Sequence, residues 1–177
     1  MVARTTRPGR YTALAFLIGF AVCALDLVSK VLAVADLPPP RVVVLLDGLL
    51  TLQQHRNPGA AFSFGASYTV IFALVAAGVL AVLVRLASRL RSWLWAVALG
   101  LILGGATGNL IDRLFRAPGP LRGSVVDWIK LPYFPAIFNL ADAAITTGVA
   151  LVVLASACGW RLSGRPGVVA EPSGTSG

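Results

Sequence analysis

Acidic side chains are scarce in this chain. Of 177 residues only seven are Asp or Glu, against fifteen Lys or Arg, so every carboxylate has to be accounted for. Histidine occurs once, at His55, which makes a Ser-His triad or a histidine-rich metal site a poor fit. The two cysteines, Cys23 and Cys158, both lie in apolar stretches, so neither a disulfide framework nor a cysteine metal cluster is implied. Charge of either sign is thin. Charged residues make up 12% of the chain and hydrophobic ones 57%, where soluble domains carry about 25% and roughly 45–50%. With a mean hydropathy of +0.82, a water-soluble globular fold is excluded, because no domain this small could hide so much apolar surface. Disorder is excluded on the same ground, apart from the ends. The net charge of +8 comes from basic residues scattered between apolar runs, a distribution suited to anionic headgroups and not to nucleic acid. No internal repeat is visible, which counts against an inverted-repeat transporter.

What remains is an integral membrane protein. A helix crossing about 30 Å of hydrocarbon needs roughly 20 apolar residues. Four stretches qualify: 11–35, 68–84, 92–111 and 137–160. The first follows Arg4, Arg7 and Arg10 and could be misread as a cleaved signal peptide. Val22 before Cys23 is too bulky for a lipoprotein processing site, however, and the apolar run continues past it. Basic residues are densest before the first span, between the second and third (Arg85, Arg89, Arg91), and after the fourth (Arg161, Arg165). The positive-inside rule therefore puts both termini in the cytoplasm and the two longer loops outside. In the first loop Asp47-Gly48 divides two apolar runs and predicts a β-hairpin lying on the membrane surface or on the spans. The fold class expected is an all-α membrane protein of four transmembrane helices, with a small extracytoplasmic hairpin or sheet and a short surface helix. Residues 1–163 read as one domain, and 164–177, rich in Gly, Ser and Pro, as a disordered cytoplasmic tail.

Carboxylates at a membrane border are functional candidates by default, since burying a charge in the bilayer centre costs about 2.5–3.5 kcal/mol. Asp26 and Lys30, four residues apart near the outer end of span one, read as a structural ion pair. Gly104 and Gly108 form a small-xxx-small face at the outer end of span three. Asn109, Asp112 and Arg113 follow, with Asp112 beside Arg113 read as a local salt bridge. Asp127 stands in the apolar run Val125-Val126-Asp127-Trp128-Ile129, a short strand or interfacial helix. Asn139 and Asp142 are expected on one face at the start of the fourth span. Asp127 and Asp142 are lone acids in apolar surroundings at one membrane depth. Two carboxyls that meet cannot both ionise and so share one proton. One then activates water while the other polarises a scissile carbonyl, which needs neither metal nor nucleophilic side chain. The same residues leave open a small proton-coupled transporter or channel subunit, or an assembly factor whose glycines pack partner helices.

Five motifs in order carry a resemblance: Asp26-Leu-Val-Ser-Lys30, Asn57-Pro-Gly59-Ala-Ala61-Phe62-Ser63, Gly104-Gly-Ala-Thr-Gly-Asn-Leu-Ile-Asp-Arg113, Val125-Val-Asp127-Trp and Phe138-Asn-Leu-Ala-Asp142. Together they resemble the lipoprotein (type II) signal peptidase family. The resemblance implies an aspartyl endopeptidase of the bacterial inner membrane, active near its outer face. The family cuts prolipoproteins just before a cysteine already carrying diacylglycerol. It also implies Asp127 and Asp142 as the catalytic pair, and Asn57, Gly59, Asn109, Asp112, Arg113 and Asn139 as residues that shape the site or contact substrate. Asp26 and Lys30 remain a structural pair. The partners implied are prolipoprotein signal peptides with a diacylglyceryl cysteine and membrane lipids; no nucleic acid, metal or cofactor is expected, and a monomer is expected, with the Gly104/Gly108 face open to packing within the chain or between chains. Relative to the family, the 114–124 segment is longer than usual, and Trp128 stands where phenylalanine is commoner.

Overall fold

The computed structural model of the chain describes residues 9–58, 69–160 and 162. Gly59, the rest of the second motif to Ser63, Arg4, Arg7 and the 164–177 tail lie outside these residues. Four helices in the described part are long and apolar enough to cross a membrane: α1 (Arg10–Asp36), α2 (Thr69–Ala87), α3 (Trp93–Phe115) and α4 (Leu140–Ala157). Even the shortest, at 18 residues, rises about 27 Å at 1.5 Å per residue, close to the hydrocarbon thickness. Large apolar side chains such as Phe16, Leu17, Phe20, Val82 and Val153 point outward and are exposed. In water that would be a liability, whereas in lipid it is the expected surface. The chain is a multi-pass membrane protein.

Helix α3 is the centre of the bundle, packed on α1, α4 and α2. Lipid gives helices no hydrophobic reason to associate, so contact comes from backbones that approach closely through small residues. Gly100, Gly104 and Gly108 are that surface of α3. A Cβ on Gly104 would lie 2.5 Å from the Gly19 carbonyl of α1, and one on Gly100 would lie 2.8 Å from the Ala15 carbonyl. On the other side of α3, a Cβ on Gly105 would overlap the Ala141 carbonyl of α4. The small-residue face is therefore used within the chain.

The strands β1 (Val42–Leu45), β2 (Leu50–Asn57), β3 (Val125–Lys130) and β4 (Ile137–Phe138) form one antiparallel sheet in that order. The β1–β2 hairpin closes through a 3₁₀ turn at Leu46–Gly48, where Leu46, Asp47 and Gly48 all have positive φ. The sheet sits where α1 and α3 end and α2 and α4 begin, touching α1 and α3. No α-helix other than the four spans occurs among the described residues, so the expected surface helix is not found there. The fourth span also starts later than the sequence suggested. Ile137 and Phe138 pair with Lys130 and Ile129 as β4, and helix α4 begins at Leu140.

This packing yields a paired prediction. Gly104→Ala forces α1 and α3 apart and should cost about 1–3 kcal/mol, lowering the thermal unfolding midpoint in detergent. A Cβ at Gly78 meets nothing within 4 Å among the described residues, so Gly78→Ala should leave the midpoint unchanged or raise it.

Candidate active site

Strand pairing brings Asp127 to its place. Pairing of Ile129 with Phe138 folds the chain back so that the residue after β4, Asn139, lies beside Asp127. Asn139 is the N-cap of α4 and Asp142 its N3 residue, and the two form a capping box. The Asn139 side chain accepts from the Asp142 backbone N–H at 2.9 Å, and the Asn139 backbone N–H donates to Asp142 Oδ2 at 3.3 Å. The expectation that both residues share one helical face is corrected here, because Asn139 precedes the helix in extended conformation. With its carbonyl occupied, the Asn139 amide turns its N–H donors outward. One reaches Asp127 Oδ1 at 2.6 Å and another reaches Asn109 Oδ1 at 3.3 Å.

Asn139 therefore bonds both candidate acids, although Asp127 and Asp142 come from different elements. Each of the four carboxylate oxygens receives one N–H. Asn57 of β2 donates to Asp127 Oδ2 at 3.0 Å, and Asn109 of α3 donates to Asp142 Oδ1 at 2.8 Å. Asp127 and Asn139 are fully buried, while Asp142 and Asn109 keep some access. Burial pushes the Asp127 carboxyl up to about 6, the Asn57 and Asn139 donors pull against that rise, and the negative charge of Asp142 adds to it. Hydrogen bonds to the charged form offset only part of the desolvation.

Beneath the pair lies a second, fully buried cluster. Lys30 Nζ is 2.7 Å from Asp26, 3.0 Å from Asp112 and 2.9 Å from Asn109 Oδ1. The two acids look upward in turn. Asp26 accepts the backbone N–H of Ala141 at 2.9 Å, and Asp112 accepts that of Val126 at 3.2 Å. These are the residues just before Asp142 and Asp127. Arg116 adds a second cation on Asp112, so two carboxylates face two cations and the cluster is neutral without the candidate pair.

The salt bridge expected between Asp112 and Arg113 does not form. Neighbours in a helix do not face each other, and the partners of Asp112 are Lys30 and Arg116. Arg113 instead lies over the Phe72 ring, its Cζ 5.9 Å from the centroid, and its buried Nη1 has no hydrogen-bond partner among the described residues. Sequence reasoning passed over Arg116, although the spacing from Asp112 is the i, i+4 of a helical ion pair. The long segment after α3 folds back on the helix end through Gly123 N–H to the Arg113 carbonyl at 3.0 Å and Ser124 N–H to the Ala117 carbonyl at 3.1 Å.

Residues 18–158 match the family model described as Signal peptidase (SPase) II. The chain belongs to the signal peptidase II family. It is thus a protease, of a family whose peptidases are of the aspartyl type. Similar proteins include the lipoprotein signal peptidases of Rhodococcus jostii (47% identical over 88% of this chain and 78% of that one) and Streptomyces coelicolor (48% over 85% and 74%). That of Streptomyces griseus is 51% identical over 79% and 72%. Among solved structures, a bacterial membrane enzyme determined by the in meso method superposes with a TM-score of 0.72 at 30% identity, covering 81% of this chain and 92% of that one.

The protonation of this signal peptidase family site is testable by pH. Burial pushes the Asp127 carboxyl up to about 6, so a reaction that needs this carboxyl protonated loses rate as pH rises through that value. The alkaline limb of kcat/KM, which reports the free enzyme, should fall with that midpoint. Asn57→Ala removes a donor that favours the carboxylate and should move the limb upward. A limb that stays in place would separate Asn57 from the titrating group.

Proposed function

We propose that the chain removes signal peptides from lipoprotein precursors, cutting before a cysteine that already carries diacylglycerol, with Asp127 and Asp142 as the catalytic pair. The observation that carries this reading is the convergence of both carboxyls on Asn139. Asp127, the more deeply buried, holds the proton. Asp142 stands in the first turn of α4, where free N–H groups and the helix dipole favour an anion, and it acts as the base. It takes a proton from water as the water oxygen bonds to the scissile carbonyl carbon, while Asp127 gives its proton to the carbonyl oxygen. The tetrahedral diol then returns that proton to Asp127, the C–N bond breaks, and the amine leaves with the proton held by Asp142. Asn57, Asn109 and Asn139 hold the acids in place through these transfers. Arg113 offers the Nη1 group that is without a partner among the described residues to a substrate carbonyl, and Gly59, beyond those residues, belongs to the same substrate-contacting set.

The setting is the outer face of the bacterial cytoplasmic membrane, with both termini inside. Arg10, Arg85, Arg89 and Arg91 lie at the end of the bundle away from the sheet, which supports that direction. A lipid-anchored cysteine is held at the outer leaflet, and the acids stand at the sheet end of the bundle, where it would arrive. Use of the Gly100, Gly104 and Gly108 face between α1 and α3 supports a monomer surrounded by lipid.

Purified Asp127→Asn and Asp142→Asn should each lose about 10³-fold or more in prolipoprotein cleavage, with insertion and unfolding midpoint preserved. Processing by either variant at the native rate would remove the assignment. A transporter would instead show ion flux in proteoliposomes that both substitutions abolish, without peptide cleavage.

A further inference from the structure

The Asn109 amide has a direction that matters. It stands between Lys30 and Asp142, and an amide offers a carbonyl on one side and N–H donors on the other. An ammonium can only donate. Lys30 at 2.9 Å from Oδ1 therefore fixes the carbonyl toward itself and leaves Nδ2 to donate to Asp142 at 2.8 Å. The other donor on Oδ1, from Asn139, is longer at 3.3 Å and belongs to an amide already engaged with Asp127 at 2.6 Å. The charged contact from Lys30 is the stronger constraint.

We infer that Lys30 is a positioning residue of the peptidase, holding the Asn109 amide so that an N–H and not a carbonyl oxygen faces Asp142. This rests on the reading of Asp142 as the catalytic base. With the amide reversed, two oxygens would oppose each other, and the repulsion is relieved only if Asp142 takes a proton, which removes the base. The ammonium thus acts on the reaction without touching substrate. The charged and titratable groups around the pair are Asp26 and Lys30 from α1, the exposed His55 of β2 in register with Asp127, and Asp112, Arg113 and Arg116 from the α3 end. Of these, Lys30 alone bonds a residue that bonds Asp142.

The test must separate amide orientation from folding, because Lys30→Met leaves Asp26 and Asp112 buried with less compensating charge. A second variant, Asp26→Asn with Lys30→Met, restores charge balance and keeps a side-chain carbonyl for the Ala141 N–H. Both are compared with wild type on one lipopeptide substrate, with unfolding midpoints measured alongside. The inference expects the double variant to fold, with a midpoint above that of Lys30→Met, and to keep the wild-type KM. It also expects kcat to fall by on the order of 10–100-fold and the acidic limb of the kcat profile to move toward neutral pH. Wild-type kcat and an unmoved limb in the double variant would overturn it, as would a loss confined to KM. Failure of the double variant to fold would also count against it, since positioning would then be inseparable from holding the fold. A wild-type enzyme that does not cleave the lipopeptide would defeat the function proposed above and leave these ratios undefined, so the two failures are distinguishable.

Discussion

The buried ammonium of Lys30 holds together the parts of the chain that carry the two acids. Asp26 meets Lys30 through Oδ2 and accepts the Ala141 N–H, just ahead of Asp142, on Oδ1, while Asp112 meets both Lys30 and the Val126 N–H, just ahead of Asp127, through Oδ2. The start of α4 and the start of β3 are thereby registered against one point on α1. Removing one member of such a cluster costs about 3–5 kcal/mol, because the remaining charge is left buried without a partner. With Arg116 on Asp112, the lower cluster is neutral by itself, and the charge that Asp127 and Asp142 face from the end of α3 is that of Arg113.

The glycines and the charges are two halves of one arrangement. Lys30 can reach Asn109 and Asp112 only because α1 lies directly on α3, and it does so where Gly100 and Gly104 leave no side chain between the backbones. Gly108 continues that face to Asp26 itself, since a Cβ there would fall on the carboxylate. In a lipid solvent, where apolar burial between helices contributes little, close approach and polar bonding carry the association. Structure and chemistry therefore depend on the same helix–helix contact.

Much of this was readable from sequence. The four spans follow from run length alone, and the β1–β2 hairpin from the punctuation at Asp47-Gly48. Strand β4 was not legible, because two apolar residues before an apolar helix look like its beginning. Only the distant pairing with Ile129 and Lys130 makes Ile137 and Phe138 a strand. The capping box at Asn139 could have been read from Asn-Leu-Ala-Asp, since an Asn three residues ahead of an acid is an N-terminus signal. The reach of Lys30 to Asn109, 79 residues away, could not. It depends on which face of α3 meets α1, and several apolar faces look alike before the glycines are seen in contact. Asp112 shows the hazard of adjacency in sequence: Arg113, next to it, points elsewhere, and Arg116, one turn on, is its partner.

The central claim is that Asp127 and Asp142 hold one proton between them, resident on Asp127. Carboxyl-stretch infrared titration of protein labelled with ¹³C-aspartate tests it most directly, read in wild type and in Asp127→Asn. The account predicts one protonated aspartate that deprotonates near pH 6 and vanishes from the spectrum of Asp127→Asn. A wild-type spectrum with no protonated aspartate just below that pH, or a band that survives Asp127→Asn unchanged, would contradict it.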